Sequence, residues 1–574
     1  MNSSTNITNY IRNEFRDRGG IDVVEVSVRA YPEEINYIVF VQASDVPRAA
    51  EIGNELDDEI STPESRSFII VRKATDEQIE ANTATVSQGV QDTRATELVH
   101  LINARSRVSE VQPSLSYVRD VEFNMSAVTA TRHHLIFGRR GAGKSSLLVE
   151  ARRSLSEDET LSCWLNMQTY RHEHPNRVFL YIVDELIGRI LSRQQILQAQ
   201  SATSASVAEI YSLVQSLLAK ADVSDKEATL MIPRVQRTIR RFIEISGLRI
   251  FLFIDDFYYL PRADQPRLLD MLHGCVRDCD AWLKVASIRH LTRWFQTNPP
   301  LGLQTIHDVG HLDLDVTLQD PAHAKKFLED ILLRYVRKVG VSTLNRLFST
   351  PALDRLVLAS GAVPRDYLLL AGNAITKAQR RPNAKLVGVQ DVNQAAGDAA
   401  QVKVQELEED MASSVDSATL TLEALRRVRA FCLDEKYHTY FLVGYKEKET
   451  LPQNYNVLTD LLDLRLIHLL DAGVSDPHSA GHRFEAFMLD LSQFSGSRLK
   501  QGIRVLDFAG GQIVSMKTRE RQTHERQIKG PQARDGSLRR IGDTPLKVIA
   551  LLRAAPTFPL GRFDDLVDGS PSTV

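Results

Sequence analysis

Apolar positions along the chain change their period, and each change marks a different kind of structure. Asn6–Asp17 carries apolar residues at helical spacing and closes on Gly19-Gly20. Val23–Arg29 alternates toward its end, and Tyr37–Gln42 reads as a more buried strand. Asp45–Ile60 opens on an Asp cap and returns to helical spacing, and Phe68–Val71 is a further strand. This order predicts a small α+β domain over residues 1–74, with no motif that carries chemistry. Residues 75–116 are polar, rich in Thr, Gln and Glu, and helical only at Thr96–Asn103, which makes them a connector.

From Tyr117 buried strands alternate with amphipathic helices, the pattern of a parallel α/β sheet. The predicted strands are His133–Phe137, Leu161–Met167, Leu248–Ile254, Leu283–Ile288 and Ile306–Leu318. The predicted helices are Ser145–Leu155, Val178–Leu191, Arg234–Ile245 and Pro266–Cys279, while Ile196–Asp225, Ser/Ala-rich and helical in part, reads as an insertion or a mobile excursion. This core is expected over residues 117–318. Helical spacing alone follows at Ala322–Val339, Pro351–Leu358, Pro364–Arg380 and Val389–Leu407, a helical lid over 319–412. Residues 413–499 run helix, helix, strand (Arg465–Leu470), loop (with Gly473, Pro477 and Gly481) and strand (Phe484–Leu491), the order of a winged helix-turn-helix. Residues 500–574 read as a basic, partly disordered tail: Lys517 to Lys547 holds nine Lys/Arg against four Asp/Glu, a net of +5.

Composition narrows this picture only a little. The 574 residues, 43% hydrophobic and 25% charged, exclude a chain that is collagenous, coiled coil or disordered throughout. A net charge of −3 implies no global electrostatic partner. Four cysteines (Cys163, Cys275, Cys279, Cys432) are too scattered for a disulfide framework. Cys275 and Cys279 stand one helical turn apart without a second Cys/His pair at zinc spacing, so all are expected as thiols. The longest unbroken apolar run, Val178–Val183, falls far short of the ~20 residues a bilayer needs. No secretory pattern opens the chain. A cytoplasmic protein with no membrane partner is the expectation.

The candidate chemistry begins at Gly138-Arg139-Arg140-Gly141-Ala142-Gly143-Lys144-Ser145, which satisfies G-x-x-x-x-G-K-[ST] between a predicted strand and a predicted helix. Glycines permit the dihedrals that turn backbone N–H groups inward onto phosphate oxygens. The helix that follows, through Ser146, adds its positive end. Lys144 then reaches the β- and γ-phosphates and Ser145 ligates Mg²⁺. Such a loop needs a carboxylate on a neighbouring strand. Ile250–Ile254 ends in Asp255-Asp256, which assigns Asp255 to the metal and Asp256 to the attacking water.

With these motifs in hand, roughly Tyr117–Leu491 resembles the AAA+/STAND division of P-loop ATPases, lid and winged helix included, an architecture shared with origin-recognition initiators. The resemblance implies ATP/ADP and Mg²⁺ as ligands. It makes Arg289, at the end of Leu283–Ile288, similar to a sensor-1 arginine, although an arginine there can equally be a surface salt-bridge residue. It makes Pro364 and Arg365 similar to the nucleotide-contacting Pro of STAND lids and the AAA+ sensor 2. The same pair is also an ordinary helix start. Arg293 is the one candidate for an inter-subunit finger. Met488-Leu489-Asp490-Leu491 echoes a Met-His-Asp motif but lacks its His. Active AAA+ enzymes usually carry Glu at the position of Asp256. Aspartate is one methylene shorter, so its oxygens sit about 1.5 Å further from the water, and slow hydrolysis is expected.

The candidate catalytic residues are thus Asp256, Lys144 and Arg289. Residues Gly138–Ser146, with Pro364 and Arg365, are expected to hold the nucleotide. The reading is an ATP-binding, slowly hydrolysing molecular switch that controls assembly with protein partners, of signalling or defence type, with a homo-oligomer among the assemblies. The alternative is a DNA-associated AAA+ ATPase of replication, transposition or partition. DNA would be held through the winged helix or the basic tail, but the would-be recognition helix Asn454–Leu464 contains Asp460 and Asp463 and no cation.

Overall fold

Strand β2 (Glu34–Val41) owes its place to Tyr37, Val39 and Val41, which are buried together with Ile69 against one face of a small sheet. It pairs antiparallel with β1 (Glu25–Ala30) and parallel with β3 (Arg66–Lys73). A parallel pair requires a crossover, and the helix Val46–Ile60 supplies it. The Asp45 side chain makes no capping hydrogen bond here; Pro47 in the first turn fixes the start. The helix Ser3–Gly19 ends at Gly20, which takes φ +63°, the left-handed conformation that stops a helix.

The computed structural model describes residues 3–31, 34–43, 45–61, 66–75, 89–105, 124–196, 202–305, 307–410, 415–475, 482–495, 503–509, 512–517, 552 and 555–568. These divide into two compact units, one of Met1–Leu98 with Tyr335–Leu347 and Asn383–Leu386, the other of the remaining chain. Within the first, Val90 N–H donates to the Lys385 carbonyl (3.0 Å) and Arg337 to the Gln42 side chain (2.6 Å).

The second unit is built on five parallel strands: β4 (His133–Phe137), β5 (Thr160–Asn166), β6 (Arg249–Asp255), β7 (Ala281–Ser287) and, after a small hairpin of β8 (Phe295–Thr297) and β9 (Pro300–Gly302), β10 (Val309–Asp313). Their order is β10-β4-β7-β6-β5. The chain therefore leaves β4 for the far edge of the sheet and returns strand by strand. Such a reversal opens a crevice beyond the carboxyl end of β4, and the P-loop lies there. All of β4 is buried, as are Ile250–Asp255 of β6.

Two stretches differ from expectation. The partly helical excursion contains the helix Ala202–Leu218, which is packed into the sheet's own core with Val207 and Val214 fully buried. The helix expected from Arg234 begins at Asp225, because Ser224 and Glu227 form a reciprocal capping box. It runs through Pro233 without stopping.

The lid comprises Pro321–Lys338, Thr350–Ala359, Pro364–Gln379 and Val389–Asp410. The helices Val415–Arg429, Tyr445–Thr450 and Pro452–Asp463 then accompany β11 (Tyr440–Gly444), β12 (Ile467–Ser475) and β13 (Arg483–Leu489) in an antiparallel β11-β13-β12 sheet. This is a winged helix with one strand, β11, that the sequence pattern did not announce. Its predicted boundary at 499 is not where it ends. Phe558, Leu560 and Phe563 are buried in its core, and Phe558 N–H donates to Leu442 O at 2.7 Å. Residues 518–551, which hold nearly all of the basic stretch, lie outside the described residues, as do Pro477 and Gly481 of the wing loop. Among the described residues, no helix is long and apolar enough to cross a membrane.

Candidate nucleotide site

The loop between β4 and the helix Lys144–Ser154 turns on Gly141 (φ +80°) and Gly143 (φ +102°), values that a side chain would strain. Gly138 is pressed by its surroundings: a Cβ there would stand 3.1 Å from that of Ala142. Gly143 caps the helix without a side-chain bond, and Ser145 and Ser146 in its first turn remain partly accessible. Lys144 is buried, and its Nζ donates to Gly138 O (2.7 Å) and Arg139 O (3.0 Å). Burial lowers the Lys144 pKa, against the opposing pull of Asp256, Asp315 and Asp255. The ammonium is therefore folded over the cradle, donating to carbonyl oxygens that phosphate oxygens could replace.

Asp255 ends β6 with 2% exposure and accepts a hydrogen bond from Ser145. Burial, and then the neighbouring Asp256, push its carboxyl up to about 7. A carboxylate this reluctant to ionise gains from a cation beside it, so Ser145 and Asp255 fit a divalent ion. Asp256 takes φ +55° and does not cap the turn after the strand with its side chain. Its Oδ2 instead accepts from Asn166 Nδ2 at 3.3 Å, across from the end of β5.

The arginines part company. Arg139 is buried and turned to the lid side: its guanidinium donates to Val316 O (2.9 Å), Gly361 O (3.4 Å) and Asp315 Oδ1 (3.3 Å), while its backbone N–H also reaches Asp315. Arg140 lies over the Tyr258 ring, 5.3 Å from its centroid. Arg289 is half exposed, paired with Asp313 at 3.3 Å and stacked 4.4 Å from the centroid of Phe137, the last residue of β4. It is thus a salt-bridge residue at the very rim of the P-loop. Arg293 is exposed beyond that strand, with its backbone N–H held by Gln265 Oε1 at 2.8 Å. Pro364 opens its lid helix, and Arg365 N–H donates to Gly141 O at 3.3 Å. A Cβ on Gly141 would stand only 2.7 Å from the Cβ of Arg365.

The winged helix also reaches this site. His290, the residue after Arg289, is paired with Asp460 at 3.4 Å and with Asp463. Burial raises the Asp463 carboxyl to about 7, although the charges of His290 and Arg139 favour its ionised form. Nearby, Arg465 binds Asp366 (2.5 Å), next to Arg365, and Lys403 binds Asp490 (2.8 Å), all of them buried. His468 Nε2 lies 2.7 Å from Asp490, and its ring fills the space that a Cβ on Gly361 would require. The motif that lacked a histidine in sequence thus meets one in space. Asn166, Tyr258, His290 and Asp315 carry no local signal. Asp315 is 176 positions from the Arg139 it binds, and only the fold brings them together.

A P-loop and a strand-end acid pair on a β10-β4-β7-β6-β5 parallel sheet, followed by a helical lid and a winged helix, give the chain the α/β architecture of a P-loop NTPase. No family model matches the chain, and no curated protein does. Among solved structures it is similar to the Aeropyrum pernix ORC1 protein in complex with DNA, at 14% identity and a TM-score of 0.33, covering 65% of this chain and 90% of that one. It is similar to the Thermotoga maritima RuvB Holliday junction branch migration motor at 14% identity and a TM-score of 0.27, over 52% of this chain and 80% of that one. A STAND protein with a tetratricopeptide repeat sensor from Pyrococcus horikoshii matches at 12% identity and a TM-score of 0.25, over 67% of this chain and 43% of that one.

Proposed function

We propose that this protein is a nucleotide-dependent switch that binds ATP and ADP with Mg²⁺, hydrolyses ATP slowly, and controls its assembly with protein partners through the lid and winged helix. The observation that carries the reading is that the P-loop is bonded directly to the lid segment, which in turn packs on the winged helix. Gly141 O accepts from Arg365, Arg139 holds Val316 O and Gly361 O, and Gly361 packs on His468 of the winged helix. A phosphate drawn into the loop must compete with these bonds.

In this reading the backbone of Gly138–Ser146 and Lys144 hold the phosphates, and Ser145 and Asp255 hold the ion. Magnesium there would offset phosphate charge. Asp256, steadied by Asn166, orients water at the end of β6 and accepts its proton. The shorter acid supports a slow rate. Pro364 and Arg365 carry the state of the loop into the lid, and Arg289 stands at the rim to sense the terminal phosphate.

A DNA-associated ATPase is the competing reading. Against it, the Asp460 and Asp463 face of the would-be recognition helix is engaged with His290. Sizing the protein with ADP, with a non-hydrolysable ATP analogue, and with added mixed-sequence duplex separates the two. Analogue-dependent assembly without duplex is expected. Salt-sensitive capture of duplex with no nucleotide-dependent assembly would overturn the protein-switch reading in favour of the DNA one.

A further inference from the structure

Arginines on several helices of this protein pair with an acid one turn earlier: Arg18 with Glu14, Arg177 with Glu173, Arg189 with Glu185 and Arg427 with Glu423. The helix Asp225–Ser246 breaks this habit. Arg234, Arg237, Arg240 and Arg241 are all exposed, and the residues one turn before them are Leu230, Pro233, Gln236 and Arg237. Among the described residues none of these four arginines is paired with a carboxylate. Arg237 Nε donates to Pro233 O at 3.1 Å, and Arg240 lies beside the Cys279 thiol. Glu244 is the one acid between Arg234 and Ile245, and the first-turn acids Asp225 and Glu227 are taken by Arg267 and Lys220. Like charges three and four positions apart weaken a helix, and Arg237 stands at that spacing from Arg234, Arg240 and Arg241. The row therefore works against the fold, and an anion from outside would offset it.

The ends of the row narrow the choice of anion. At roughly 100° per residue, Leu230, Arg234, Arg237, Arg241 and Ile245 share one stripe, about 80° wide and about 22 Å long. Both ends are apolar and open: Leu230 is 54% exposed and Ile245 55%, while Met231, Val235, Ile239 and Phe242 on the opposite face are buried. A nucleic-acid backbone has a use for the arginines and none for the aliphatic ends. An anionic bilayer surface uses both. Guanidinium forks match headgroup phosphates, and aliphatic side chains enter the boundary between headgroups and acyl chains. Such a contact needs no segment that spans the bilayer.

We propose that this stripe seats the protein on an anionic membrane surface, with Arg234, Arg237 and Arg241 on headgroup phosphates and Leu230 and Ile245 in the acyl boundary. The proposal is independent of the nucleotide-switch reading.

Flotation of the full chain with lipid vesicles is the test. Binding is expected to phosphatidylcholine vesicles that hold about 30% phosphatidylserine, not to phosphatidylcholine alone, and is released by high salt. Each cation near such a surface is worth about fivefold, so Arg237→Ala with Arg241→Ala should weaken vesicle binding about twentyfold. Leu230→Ser with Ile245→Ser should weaken it about fivefold. The arginine variant should keep or raise its urea midpoint, because like-charged neighbours have been removed. Wild-type protein that ignores anionic vesicles overturns the proposal, as does wild-type affinity in the arginine variant, which would put the contact elsewhere on the chain. Unchanged affinity in the Leu230 and Ile245 variant overturns the seating in the acyl boundary. A mixed-sequence DNA duplex held more tightly than the vesicles, through the same arginines, overturns the lipid assignment in favour of nucleic acid. A fallen urea midpoint in the arginine variant would make the row structural and overturn the proposal too.

Discussion

Asp256 shows how much one residue's backbone constrains its chemistry. Its φ of +55° is a conformation that Asp and Asn tolerate and longer acids resist. Asp256→Asn should therefore leave the fold and ATP binding nearly unchanged while slowing ATP cleavage about 10²-fold, the usual size of a general-base contribution. Pre-steady-state cleavage is the proper readout, since release of ADP can mask it; equal rates would remove Asp256 from the chemistry. Asp256→Glu gains reach, but costs about 1 kcal/mol in the left-handed turn and shifts the carboxylate from Asn166. Its urea midpoint should drop even where its turnover is preserved or raised. Lys144→Ala deletes the cation folded over the loop, and calorimetric titration should find tight ATP binding gone from a chain with a native circular dichroism spectrum. Retained affinity would mean that the phosphates lie elsewhere.

Among the elements, the β4–β7 pair carries an unusual buried cluster at the sheet end remote from the P-loop. Lys284 donates to Ala130 O and Arg132 O, each at 2.7 Å, and lies 3.1 Å from His134 Nδ1; burial draws its pKa down to about 7. Burial, and then the nearby positive charges, lower His133 to about 4, with His273 and Lys284 close by, and His134 to about 3, with Lys284 and Arg132 close by. Asp308 works the other way on His133. Both histidines take up protons more readily in the unfolded chain. Their stabilisation is present above pH 6.5 and is lost as the pH falls toward those lowered values, at about 1.4 kcal/mol per pH unit for each. Asp255 and Asp463, with raised pKa values, act in the opposite sense and are stabilising in acid. The paired comparison is therefore the informative one. His134→Gln keeps an acceptor for Lys284 and should flatten the fall in urea midpoint between pH 6.5 and 4 relative to wild type. Parallel profiles would show that His134 is already protonated in the fold. The helix Asp225–Ser246 teaches a different lesson about elements: it starts at the Ser224–Glu227 capping box and runs through Pro233 to cover the helix expected from Arg234. A proline forfeits a single helical bond, and packing of Met231, Val235, Ile239 and Phe242 outweighs it.

Across the whole molecule, a cluster of buried charges joins the lid to the winged helix. Asp490 is fully buried. Burial opposes its charge, but Lys403 and His468 outweigh that and hold its carboxyl well below the usual range. Asp490→Ala would leave Lys403 and His468 buried without their shared partner and should cost roughly 3–5 kcal/mol. Chemical denaturation measures that cost, and limited proteolysis should show the winged helix detached at denaturant concentrations that leave wild type intact. A change below about 1 kcal/mol would mean that water reaches the network and screens it. Detachment would also free the Asp460–Asp463 face from His290 and so alter access to the rim where Arg289 stands.

What the sequence determined by itself is whatever depends on near neighbours. The period of apolar residues specified β4, the strand ending in Asp255, the four lid helices and the wing strands, because strand and helix burial repeat over a few residues. The P-loop spacing specified Gly138 to Ser145, because its chemistry is made by one continuous backbone. The tertiary structure decided everything that joins distant segments. It tied the Arg139 side chain to the lid, set Arg140 on Tyr258, gave Asp256 its partner Asn166, and turned the acidic face of Pro452–Asp463 inward onto His290. It also returned Phe558 and Phe563, from a stretch that read as tail, to the core of the winged helix. A charged side chain looks the same in sequence whether its partner is water, phosphate or a carboxylate a hundred residues away; only the sheet order and the packing of lid on core make that choice.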